Sequence, residues 1–191
     1  FDDSHTIQSN IYIQNIKNIP LFFKDGATFS SLPSNQSYRP VLSTSLAIDY
    51  WLGKGLTDTF QFHVTSYLLF VIIGLLLFLF YQKILSFSEE SPTVLLVSLI
   101  ATAFYLLHPA CAETVNYIIQ RGDMFAAFFL VLGFVLYAYV PLCRQYYLYL
   151  PVIFIGILAK PNTLVFAPLF LIYQYLFEYR LTGKDIVDVN K

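Results

Sequence analysis

The chain has 191 residues, of which 57% are hydrophobic, 18% aromatic and 12% charged, and its mean hydropathy is +0.63; these values lie outside the range of a water-soluble domain. Eleven Lys and Arg against twelve Asp and Glu give a formal net charge of −1, so no basic surface exists to hold a nucleic-acid backbone through counterion release, and nucleic-acid binding is excluded. Cys111 and Cys143 stand in apolar surroundings without C-x-x-C or paired His spacing, which argues against a zinc site and a disulfide framework.

Nine of the 23 charged residues fall in residues 1–58. Asn10, Asn15, Asn18, Pro20, Gly26, Pro33 and Asn35 punctuate this stretch, which reads as a large folded first loop. Asn35-Gln36-Ser37 within it matches the glycosylation acceptor pattern. Within 41–51, Leu42, Leu46 and Tyr50 recur at helical spacing after Pro40, with Trp51 beside them. That pattern predicts a short helix lying in the membrane interface.

After Asp58 the uncharged runs are 59–82, 91–112, 124–143, 145–159 and 161–177, or 24, 22, 20, 15 and 17 residues. A charge near the bilayer centre costs roughly 2.5–3.5 kcal/mol, and a span needs roughly 20 residues, so these runs predict five transmembrane helices. Their expected extents are about 60–82, 91–108, 123–142, 145–160 and 162–178, with an external loop helix near 110–121 and a tail or linker over 179–191. Six Lys and Arg against five on the two sides leave the orientation open to the positive-inside rule. The predicted class is an all-α polytopic membrane protein.

Three clusters of charge fall at segment ends on one predicted side: Asp2-Asp3 with His5, His108 to Glu113 continuing through Arg121 and Asp123, and Lys160-Pro161. Convergence on one face suits a site above the bilayer. Each cluster also has a structural reading: solvated loop charges or a helix cap for Asp2-Asp3, an ion pair pinning a loop for Arg121 with Glu113 or Asp123, a snorkelling end-of-span lysine for Lys160, and a packed or capping residue for His108.

In order along the chain, FDD (1–3), YRPVLSTSLAIDYWLGKG (38–55), FHVTSYLLF (62–70), LLHPACAETVNYIIQRGDMFAAFF (106–129) and LAKPNTLVFAPLFLIYQYL (158–176) resemble one family. The set is similar to the transmembrane, TPR-containing O-mannosyltransferases and their prokaryotic relatives, polytopic glycosyltransferases of the GT-C fold. The most specific element is the H-P-x-x-x-E-x-V-x-Y-I-x-x-R-x-D pattern over 108–123, and the K-P-N-T at 160–163 departs from the K-E form of many members.

The resemblance implies a GT-C-like bundle of which the chain holds spans two to six, the first helix lying just before Phe1. It implies a sugar, mannose or another hexose, carried on a polyprenyl phosphate, dolichyl or undecaprenyl, and transferred with inversion to a protein or glycan hydroxyl. Loops 1–58 and 109–122 are then external or lumenal, in a bacterial inner membrane or the endoplasmic reticulum. Asp2 and Asp3 become the candidate catalytic base. Arg121, Lys160 and Arg39 become the candidate cations for the donor phosphate, since a phosphate leaving group needs neutralising charge and Arg offers a bidentate fork. His108, Glu113, Asp123 and His5 would position the loop or contact the sugar. No cofactor or metal is predicted, although some GT-C relatives use a divalent metal. Two other classes stay open: a non-catalytic membrane scaffold subunit of a larger complex, and a lipid-linked sugar transporter.

Overall fold

A computed structural model of the chain describes residues 3–55, 59–87 and 92–180, the side chains of 179 and 180 excepted. Every regular element among them is helical, in agreement with the all-α class. In chain order the α-helices are α1 (Ile19–Phe22), α2 (Pro40–Leu52), α3 (Phe60–Ser86), α4 (Pro92–Leu106), α5 (Ala110–Asn116), α6 (Arg121–Tyr139), α7 (Pro141–Gln145), α8 (Tyr149–Ala159) and α9 (Phe166–Tyr173). Tighter or looser helical turns join them, notably Ile118–Gln120, Pro161–Val165 and Gln174–Arg180.

The segment ahead of α2 folds around Asn10, which is fully buried. Its Nδ2 donates to the carbonyls of Thr6, Thr28 and Phe29 at 3.0 to 3.2 Å, and its Oδ1 accepts from the Tyr12 N–H at 3.0 Å. One amide thereby supplies the backbone partners that an irregular buried loop lacks. Ile7, Ile13, Phe22 and Phe29 pack around it on Leu42, Leu46 and Ala47 of α2, with Phe62 and Ile118 closing the cluster. Leu42, Leu46 and Ala47 of α2 therefore face the loop's own core, while Ile48, Trp51 (60% exposed) and Leu52 offer apolar surface outward. Nine apolar side chains bury together here, so the helix expected over 41–51 packs one face on the loop and keeps the other outward.

Two helical segments, Phe60–Ser86 and Ile118–Tyr139, are long and apolar enough to cross a membrane, and a third is counted if α4 and α5, bent by 63° between them, form one broken span. The bend falls at His108-Pro109, where proline cannot continue the hydrogen-bond ladder. The fourth uncharged run holds the eleven-residue α8, and the fifth divides into a 3-10 turn, α9 and a π turn.

Helix α6 packs on α3 and α8, and α3 also packs on α4. Small residues allow the close approach: a Cβ added at Gly133 would stand 2.6 Å from Ile153 Cδ1, one at Gly156 2.6 Å from Phe129 Cβ, and one at Gly74 2.8 Å from Leu106. Such contacts suit helices that associate by packing alone in lipid. Phe80, Phe134, Tyr137, Tyr149, Phe166 and Tyr173 form the aromatic core at the opposite end from the loop. There Glu178 accepts from Tyr137 at 3.0 Å and from Arg144 at 2.9 Å.

Candidate functional site

The helix expected over 110–121 is broken. Helix α5 stops at Asn116, Tyr117 is extended (φ −90°, ψ 106°), Ile118–Gln120 form a single 3-10 turn, and α6 starts at Arg121. The break leaves the Ile119 N–H without a helical partner, and the Asp3 carboxylate accepts it at 3.0 Å. A residue at the start of the first loop is thus tied to one 116 positions later.

Segment 117–120 forms a wall between two clefts. The first, of about 220 Å³, is lined by Asp3, Gln8, Thr59, His63 and Asn116 with Ile7, Phe62 and Ile118. The second, of about 250 Å³, is lined by Arg39, Lys160 and Asp123 with Asn35, Tyr117, Gln120, Phe29 and Ile119. One cleft carries a carboxylate among neutral polar groups; its neighbour carries two cations and one carboxylate.

Both cations owe their placement to a following proline. Arg39 and Lys160 precede Pro40 and Pro161, which exclude the preceding residue from helical geometry and then open a helical turn. Lys160 is extended (φ −157°, ψ 129°), and its Nζ meets Asp123 Oδ1 at 2.5 Å, with side-chain exposures of 18% and 47%. Its stem passes Gly122, where a Cβ would come within 3.6 Å of it. Arg39 lies over the Phe29 ring at 5.0 Å, and its buried Nε has no hydrogen-bond partner among the described residues.

Arg121 does not reach either cleft as an open cation. It is fully buried: Nη1 donates to Asp49, itself 1% exposed, and to Ser45 Oγ at 2.9 Å, Nη2 to the Phe62 carbonyl at 2.7 Å and Nε to Ser66 Oγ at 3.2 Å. Thr65 Oγ1 donates to the other Asp49 oxygen at 2.7 Å. The fork of Arg121, expected to meet the donor phosphate, here holds a carboxylate and three neutral oxygens in a space closed to solvent.

His5 stands behind the second cleft, its Nδ1 at 3.1 Å from Ser30 Oγ and 3.4 Å from Asn35 Nδ2. His108 is exposed at the α4–α5 bend, accepts the Ala110 N–H at 3.2 Å and packs edge-on to Phe104; neither it nor the exposed Glu113 lines these two clefts. Asp2 lies outside the described residues. Among the described residues no three His, Cys, Asp or Glu side chains converge in the manner of a metal site.

Asp49, Gln8 and Asn116 were not singled out by the sequence, and Asn35 was read there only as a turn and glycosylation signal and His63 only within a resembling string. Asp49 had a legible signal, being the one charge between Arg39 and Lys54 on an otherwise uncharged helix; Gln8 and Asn116 had none.

In an alignment of 146 residues that covers 72% of it, the chain is 32% identical to the protein O-mannosyl-transferase TMTC4 of Mus musculus and 30% identical to that of Homo sapiens. The match covers 20% of each of these curated relatives. No family model and no solved structure matches. The chain is a relative of the transmembrane, TPR-containing O-mannosyltransferases, the family that its motifs resemble.

Proposed function

We propose that the protein to which this chain belongs is a membrane glycosyltransferase, moving mannose or another hexose from a polyprenyl-phosphate donor to a hydroxyl of a protein or glycan. The observation that carries the reading is the shared wall at 117–120, with Asp3 in the cleft on one side and Arg39 and Lys160 in the cleft on the other. Group transfer from a phosphate needs those two environments side by side: a carboxylate where a proton is lost and fixed positive charge where negative charge develops.

In the proposed reaction the acceptor oxygen attacks the anomeric carbon, and the bond from that carbon to the phosphate oxygen breaks. The acceptor proton passes to Asp3, or to Asp2 beside it in sequence. The phosphate leaves with the bonding pair, its charge balanced by Arg39 and Lys160. The N-termini of α2 and α6 also open at this cleft, through Arg39 and Gln120, and their dipoles add to the attraction for an anion. Direct displacement inverts the anomeric centre. Asp123 holds Lys160, and His5 holds Asn35, as positioning partners. The reaction as proposed draws on no cofactor. The two relatives are mammalian, and the proposal places the site on the lumenal face of the endoplasmic reticulum membrane.

The test uses the full-length parent protein in membranes, with radiolabelled polyprenyl-phosphate mannose and a native extract as acceptor source. Wild type is compared with Asp3→Asn and with the Asp2→Asn, Asp3→Asn double variant. Transfer by the wild type, reduced at least about a hundredfold in the variants, is the expected outcome. Equal transfer by all three at equal expression removes the acidic pair from the chemistry.

A further inference from the structure

Resting on that reading, we propose that the buried pair of Arg121 and Asp49 is a positioning device for the candidate base, fixing the 117–120 wall to which the Asp3 carboxylate is bound. Arg121 follows directly on the 3-10 turn Ile118–Gln120, so wherever the guanidinium is held, the wall is held. A single turn between an extended residue and the start of α6 has no register of its own, because it makes too few internal hydrogen bonds to define one. Its position is imposed by tertiary contacts.

The guanidinium supplies them from two helices. It binds α2 through Ser45 and Asp49, and the first turns of α3 through the Phe62 carbonyl and Ser66. Asp49 is in turn oriented by Thr65. A planar fork with four donations to fixed acceptors sets rotation as well as distance, which an apolar contact of the same volume would not. From the same anchor Ile119, two residues away, offers its N–H to Asp3, and the Asp3 charge itself lies within electrostatic reach of the guanidinium. The pair, closed to solvent, thus stands one step behind the carboxylate and touches neither cleft as a ligand.

The experiment follows hydrogen–deuterium exchange by mass spectrometry in the full-length parent protein, together with transfer kinetics on polyprenyl-phosphate mannose. Asp49→Asn keeps the side-chain shape and removes the charge opposite Arg121. The expected result is exchange over 117–120 faster by about tenfold or more, with exchange across α3 and α6 unchanged, and a loss in kcat at constant donor KM.

Unchanged exchange over 117–120 overturns the proposal. So does acceleration spread evenly through α3 and α6, the signature of a pair that only holds the bundle together. A raised donor KM with unchanged exchange overturns it as well, since the guanidinium would then be meeting the donor. Should Asp49→Asn fail to fold, the Asp49→Leu, Arg121→Met double variant removes both charges: a loosened 117–120 in a folded protein supports the proposal, and wild-type protection there defeats it. Exchange is read whether or not sugar is transferred. A wild type that transfers nothing defeats the glycosyltransferase reading while the exchange data still judge the pair.

Discussion

Lys160 and Arg39 come from distant parts of the chain, yet they reach one cleft by the same local device, a cation placed before a proline that opens a helical turn. That device was legible as Arg-Pro and Lys-Pro; their convergence was not, because nothing local pairs residue 39 with residue 160. Lys160 holds Asp123, while Arg39 Nε has no partner among the described residues. If both meet the donor phosphate, Lys160→Met raises the donor KM by about tenfold, the worth of one charge-assisted hydrogen bond. Asp123→Asn should leave KM level or lower it, since it releases the ammonium. Transfer kinetics at varied donor concentration check both, and an unaltered KM in Lys160→Met takes the lysine out of the donor site. Arg121 shows the opposite limit of sequence reading. A cation in a motif looks like a ligand until its partner is found, and that partner sits 72 residues earlier on a helix whose apolar periodicity conceals it.

Among the helices, Pro40, Pro92, Pro141 and Pro161 each open a helical segment, because proline acts through local backbone chemistry. The break at Tyr117 escaped this logic: Glu113, Tyr117, Gln120 and Arg121 keep helical spacing through it, and tertiary contacts, the hydrogen bond from Ile119 to Asp3 and the buried fork of Arg121, favour the irregular turn. The close approach of α6 and α8 was equally silent, since a glycine in an apolar run carries no pattern. It has a measurable consequence. Gly156→Ala puts a methyl group 2.6 Å from Phe129 Cβ and 2.7 Å from Thr163 Cγ2, contacts that no side-chain rotation of alanine relieves. Overpacking of this kind costs about 1–3 kcal/mol, and Gly133→Ala meets Ile153 and Phe166 in the same way. Thermal denaturation of the full-length protein in detergent should show both variants destabilised, with Leu99→Ala on the exposed face of α4 as a control that changes little. Equal midpoints for Gly156→Ala and Leu99→Ala would mean that α6 and α8 stand further apart.

At the scale of the whole molecule, the site and the aromatic core lie at opposite ends of α6, and that separation determines which compartment each meets. Counting from Ile118 to Tyr139, the helical segment has 22 residues, which at 1.5 Å per residue spans about 33 Å, enough to cross a hydrocarbon core of about 30 Å. Cys111 precedes this segment and Cys143 follows it, both partly exposed and unpaired in any disulfide. If α6 crosses the membrane, the two thiols report opposite faces. In sealed microsomes carrying the parent protein with its other cysteines replaced, an impermeant maleimide should label Cys143 directly and Cys111 only after detergent is added, placing both clefts on the lumenal side. That the thiols differ follows from their positions about α6; that Cys143 is the one labelled first follows from the proposed lumenal site, since the near-equal distribution of Lys and Arg does not set the orientation. Labelling of both thiols in sealed vesicles would deny that α6 spans. Labelling of Cys111 alone would put the clefts on the cytoplasmic face, where a transfer to lumenal acceptors has no substrate to act on.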